Sequence, residues 1–151
     1  MSKTTLKTLM RAIKTRNIEK LKEILDKNPE YLLLHNEDWE TPFHISVSAK
    51  KSEPEILKLC IELSLQNKYN VRELLNKQDM NGFTPLHVVC RLIEEPKHRQ
   101  IFDKNVKCLI DNGIDIYIKC ENLRYDGVFI ISSIISMYLS LIHISEPTRP
   151  Y

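Results

Sequence analysis

An all-α fold assembled from repeated helix–turn–helix units is what this sequence predicts, on three observations. A polar turn followed by Thr-Pro-apolar-His occurs twice, once through Thr41-Pro42-Phe43-His44 and again through Thr84-Pro85-Leu86-His87. Between and around these copies, apolar residues recur at intervals of three and four, the spacing of one helical face. The chain has only three glycines, few for the turns of an all-β fold and ordinary for a helical one. Its 151 residues, 42% apolar and 28% charged, suffice for one domain with a sizeable core.

Taken in order, Leu6 to Leu25 reads as two amphipathic helices. Leu6, Leu9, Met10 and Ile13 supply one stripe, and Ile18, Leu21, Ile24 and Leu25 a second, with Arg16-Asn17 as the break. Asn28-Pro29 ends the second helix, and Tyr31 to Asn36 is expected to run extended into the first turn. Thr41 is a good N-cap, and Pro42 fits the first helical position, where a missing N–H costs nothing. Phe43, Ile45 and Val47 fill the apolar places of that helix, and Pro54 fits the start of the next. Ile56 to Leu63 is a long apolar pattern, with a loop expected through Gln66 to Asn70.

The second turn repeats this logic. Asn81-Gly82 is a strong turn pair, because both residues tolerate positive φ. Thr84 caps, Pro85 follows, and Leu86, Val89 and Cys90 share a face, with the helix expected to continue through Leu92 and Ile93. An insertion at Lys97-His98-Arg99-Gln100 precedes a helix built on Val106, Cys108, Leu109 and Ile110, and Gly113 is its natural left-handed terminator.

Two copies of Thr-Pro-apolar-His, each behind a polar turn, resemble the ankyrin repeat, whose signature is T-P-L-H-x-A in a unit of about 33 residues. Asn17 to Leu25 resembles the second helix of such a repeat, and Asp111 to Ile116 the end of one. Ser46 stands where the family carries Ala. The step from Thr41 to Thr84 is 43 positions, about ten more than the family period, with most of the excess expected after Ile61. The resemblance implies a solenoid of about three repeats over residues 5–122. A degenerate or truncated fourth repeat is expected over 123–138, where Asp126-Gly127 offers a turn without the motif. Leu139 to Arg149 resembles the in-frame translation of a sequencing-library transposase adapter, so 139–151 is read as a non-native tail and the gene product as continuing further. The apolar run from Val128 to Ile142 is shorter than the roughly 18 residues of a membrane span.

The resemblance also implies where a partner would bind. In that family the projecting turn tips and the inner face of the first helices contact a protein. The tips here carry Asp38, Trp39, Glu40, Asp79, Met80, Asn81 and Phe83, and the inner face Ser46, Ser48, Ala49 and Arg91. Trp39 occupies the position of Gly82 in the next copy. Either it folds back over a neighbouring turn, or it anchors a contact, since Trp is enriched among interface hot spots.

Catalytic, cofactor and metal sites are not expected. His44 and His87 sit where the family's His ties one turn to the next. Cys60, Cys90 and Cys108 lie in apolar patterns without a base placed to activate them, and no Cys-x-x-Cys pair offers ligand spacing. Reduced thiols and the absence of an apolar leader in Met1 to Lys7 point to an intracellular home; a monomer is expected. A net charge of +2, dispersed, is too small to argue for nucleic acid by itself. Lys50, Lys51, Lys97, His98, Arg99, Lys104 and Lys107 would carry that alternative. Another is an adaptor region of a larger protein with an enzymatic or membrane domain. The reading favoured over both is a protein–protein interaction scaffold.

Overall fold

Helix boundaries follow the caps written in the sequence. The computed structural model describes residues 3–48, 54–91 and 99–115. Among the described residues there are seven α-helices, one 3₁₀ turn and no strand. They are α1 (Lys3–Lys14), α2 (Ile18–Lys27), the 3₁₀ turn Pro29–Leu33, α3 (Pro42–Ser48), α4 (Pro54–Gln66), α5 (Val71–Leu75), α6 (Pro85–Arg91) and α7 (Arg99–Asp111).

Asn17 caps α2 by accepting the Lys20 N–H at 3.1 Å, and Asn70 caps α5 through the Glu73 N–H at the same distance. Such caps contribute about 1 kcal/mol each. Three helices end in the same paired motif. The residue two past the helix takes positive φ, and its N–H and the next close back onto the last turn. In α1 that residue is Arg16 (φ 59°), in α4 Lys68 (φ 60°) and in α7 Gly113 (φ 91°). The closing bonds are Asn17 N–H to Ala12 O, Tyr69 N–H to Ser64 O, and Ile114 N–H to Leu109 O, at 2.9, 2.9 and 3.2 Å.

Helices pair and the pairs stack. α1 packs on α2, α3 on α4 and α6 on α7, while α3 lies between α1 and α6, and α4 touches α7. The result is two layers with the apolar stripes turned inward. Leu9, Leu21, Phe43, Leu57, Leu75 and Leu109 are at most 1% exposed, and burying each such side chain is worth about 1.5–3 kcal/mol. Among the described residues no helix is long and apolar enough to cross a membrane.

Three expectations need correction. Tyr31 to Leu33 is not extended but lies in the 3₁₀ turn, because Pro29 starts a turn and Tyr31 and Leu32 then point into the core. The excess length after Ile61 extends α4 to Gln66, as expected, but it also holds the separate helix α5, which was not. Leu32 and Leu75, 43 positions apart, occupy the same place before each turn and are both fully buried. Arg99 and Gln100, expected in an insertion, begin α7. Leu92, Ile93, the turn at Asp126-Gly127, the fourth repeat and the tail lie outside the described residues.

The left-handed residues give a direct test. A side chain there costs roughly 1–2 kcal/mol, and glycine costs about 0.5–1 kcal/mol in chain entropy. Lys68→Gly is therefore expected to stabilise by about 0.5–1 kcal/mol, and Gly113→Ala to destabilise by about 1 kcal/mol. The added Cβ at Gly113 would meet the Arg72 side chain only at an ordinary 3.5 Å. Urea midpoints measure both; a less stable Lys68→Gly would contradict the positive φ.

Candidate functional site

The two turns are built alike, and each is nailed to the helix that follows it. In the first, the Asn36 side chain accepts the N–H groups of Asp38 and Glu40 at 2.9 Å each. In the second, Asp79 does the same for Asn81 and Phe83, again at 2.9 Å. The Trp39 N–H closes onto Asn36 O and the Gly82 N–H onto Asp79 O, at 3.1 and 2.9 Å. Asn36 and Asp79 are 43 positions apart, as are Trp39 and Gly82. A polar side chain able to organise two backbone N–H groups is what both turns require.

After each turn, Thr and His form a reciprocal cap. The Thr41 N–H donates to Nδ1 of His44 at 3.1 Å, and the Thr41 hydroxyl lies 2.9 Å from the same nitrogen. The His44 N–H reaches back to Thr41 Oγ1 at 3.4 Å. Histidine thus does what glutamate does in a capping box. Thr84 and His87 repeat the arrangement at 3.1, 2.8 and 3.4 Å. With Nδ1 accepting, Nε2 of His44 carries the proton and donates to the Phe83 carbonyl at 2.7 Å. A second tie, Met80 N–H to Asp38 O at 2.9 Å, joins the tips themselves.

These ties bring together most of the expected contact residues. Asp38, Glu40, Ser48, Asp79, Met80 and Asn81 line one groove of about 520 Å³, joined by Val88 of α6. Val88 escapes sequence reasoning because its helical position belongs to the apolar pattern. Met80 is 59% exposed and Trp39 56%. Trp39 has φ 63°, an outlier for a bulky side chain. Its ring stacks on His35 of its own loop, centroids 4.1 Å apart, and stays largely in solvent.

Two expected contacts are corrected. Phe83 is buried beside His87, with ring centroids 6.1 Å apart, and its carbonyl is taken by His44, so it supports the turn from within. Ser46 is also buried, its hydroxyl donating to Phe43 O at 2.8 Å because the small side chain fits between α3 and its neighbours. Ala49 lies outside the described residues, as does the Arg91 side chain. Of the basic set, Lys50, Lys51, Lys97, His98 and the Arg99 side chain also lie outside them. Lys107 pairs with Asp111 at 2.6 Å, which leaves Lys104 exposed without a basic partner shown beside it.

A second groove, of about 800 Å³, lies between α1 and the first turn. Leu6 and Met10 line it together with Lys7, Arg11 and Lys14, and His35 to Asp38 form the other wall. The positions 7, 11 and 14 fall on one helical face, a pattern legible in the sequence once α1 is known to be a wall.

The thiols described are inert. Burial pushes Cys60 up to about 12, and burial above all raises Cys108. Among the described residues no group of His, Cys, Asp or Glu is arranged to hold a metal ion. No protein-family model matches the chain, and neither does any curated protein. Fold and grooves together define an all-helical protein of stacked pairs, presenting a row of tied turn tips.

Two measurements check this site. Burial first lowers His44 below its ordinary 6.5, while the Phe83 carbonyl and the Asp79 and Glu40 charges oppose that shift. The unfolded chain therefore binds this proton more readily than the folded one. The stability due to neutral His44 is complete above about pH 6.5 and is lost as pH falls towards the lowered value. His44→Gln should flatten the stability–pH slope just below 6.5, read from urea midpoints. Mass-mapped alkylation should leave Cys60 unlabelled until the protein is unfolded; rapid native labelling would contradict its burial.

Proposed function

We propose that this chain is an ankyrin-like repeat scaffold that binds a partner protein across its turn tips. What carries the reading is the 43-residue recurrence of one complete device: Asx-organised turn, Thr-Pro helix start and reciprocal Thr–His cap, with His44 reaching the next turn. A device repeated at fixed spacing sets successive tips in a row, and a pre-ordered row binds without the cost of ordering loops. Trp39 and Met80 supply the exposed apolar anchors, and Asp38, Glu40 and Asp79 a polar surround. The partner is met as a surface, with no reaction carried out on it.

Trp39 supports this further. Left-handed backbone costs a side chain roughly 1–2 kcal/mol, and glycine serves the same position in the next turn. Stacking on His35 returns about 0.5–1.5 kcal/mol. These offset, so folding alone gives little reason for a tryptophan there.

Trp39→Gly is accordingly expected to change folding stability by no more than about 1 kcal/mol and to weaken partner binding at least tenfold. Met80→Glu should weaken it similarly, while Leu65→Glu, equally exposed at 59% but on α4, should not. Proteins captured on the immobilised chain, then purified and titrated against the variants, provide the readout. Equal binding by all three variants and the parent would refute the tip assignment.

A further inference from the structure

We propose that the groove between α1 and the first turn receives an acidic amphipathic helix of the partner protein. This names the chemistry of the partner and rests on the scaffold reading above. The groove is of ligand size, about 800 Å³, within the range of roughly 300–1,000 Å³ typical of binding clefts. Half-buried Leu6 gives it apolar lining, Met10 beneath being only 6% exposed and part of the core, and one rim carries Lys7, Arg11 and Lys14.

These three cations are set apart by lining one groove together; Lys22, Lys58 and Lys104 are also in no ion pair among the described residues, but do not line it. Lys20, Lys27 and Lys107 each meet a carboxylate three or four positions away. Lys7, Arg11 and Lys14 are exposed, and none is in an ion pair among the described residues. Along α1 they are separated by about 6 Å and then about 4.5 Å at 1.5 Å per residue. A second helix laid alongside presents carboxylates at the same intervals when they stand at i, i+4 and i+7. Its adjoining apolar stripe would then rest on Leu6 and the aliphatic stems of the basic side chains, the helix-in-groove mode of recognition.

The opposite rim weighs against a polyanion. Asp38 lines the same groove, so a uniformly negative phosphate chain would be repelled there. A helix can turn its acidic flank to α1 and an uncharged or basic flank to Asp38.

The chain supplies its own probe. Trp39 is its one tryptophan, and its ring stacks on His35, which lines the groove. The full chain would be titrated with a synthetic 18-residue peptide lacking Trp and Tyr, with a leucine stripe and Glu at i, i+4 and i+7. A saturable change in Trp39 emission is expected, weakening as salt is raised. Arg11→Glu and, independently, Lys14→Glu should each weaken binding at least fivefold. Both lie in the last turn of α1, where an acidic side chain opposes the helix dipole, so binding is read well below each variant's melting temperature. A peptide with Lys in place of Glu should bind the parent at least tenfold more weakly. Absence of saturation, equal binding of the two peptides, or binding unaffected by both variants overturns the proposal. So does polyglutamate or a short single-stranded oligonucleotide binding as tightly as the amphipathic peptide. If a captured partner is lost with Met80→Glu but kept with both rim variants, the scaffold reading stands and the acidic helix falls. The converse result retains this groove and removes the tip assignment.

Discussion

The imidazole of His44 is the constraint on which the rest of the structure depends. One ring holds the first turn of α3 through Thr41 and the carbonyl of Phe83 at 2.7 Å, 39 positions further along the chain. A buried carbonyl left without a donor costs about 1–3 kcal/mol, so the bond penalises any other placement of the second turn. It also sets the tautomer: Nδ1 must accept for the cap, which leaves Nε2 to donate. Local helix capping and long-range registration are thereby settled by a single protonation state.

From that registration the grooves follow. Tip groups of the first turn, Asp38 and Glu40, meet Asp79, Met80 and Asn81 of the second only because the turns are tied at both His44 and the Met80 N–H. Core burial alone would leave the tips free to splay, since apolar contact is non-directional. The hydrogen bonds supply direction, and the stacked helices supply the energy that holds them. The backbone at Trp39 belongs to this picture. An exposed ring in the left-handed region stores strain where the chain meets its surroundings, which is where such strain tends to gather.

How much could be read beforehand varied with the range of the interaction. The break at Arg16-Asn17, the starts at Pro42, Pro54 and Pro85, and the stop at Gly113 were legible, because caps and proline act within four residues of chain. Helix α5 was not. Val71 to Leu75 is too short for a periodic pattern to stand out, and its one signal was the cap residue Asn70. Phe83 and Ser46 were placed at the surface by analogy with neighbouring tip and face positions, yet both are buried. Whether a turn residue points out or in depends on what packs behind it. Neighbouring helices decide that, here α6 through His87 for Phe83.

The sequence by itself determined the helical class, the helix starts at Pro42, Pro54 and Pro85, the stop at Gly113, and the existence of two equivalent turns, since each rests on contacts between residues a few positions apart. Only the tertiary structure decided which tip side chains stay in solvent, that Asp38 lines both grooves, and that three basic residues of α1 face an apolar cleft. Those facts depend on the distance between elements about 20 to 40 residues apart. That distance is fixed by the closing of buried hydrogen bonds and the filling of a shared core, which no local pattern encodes.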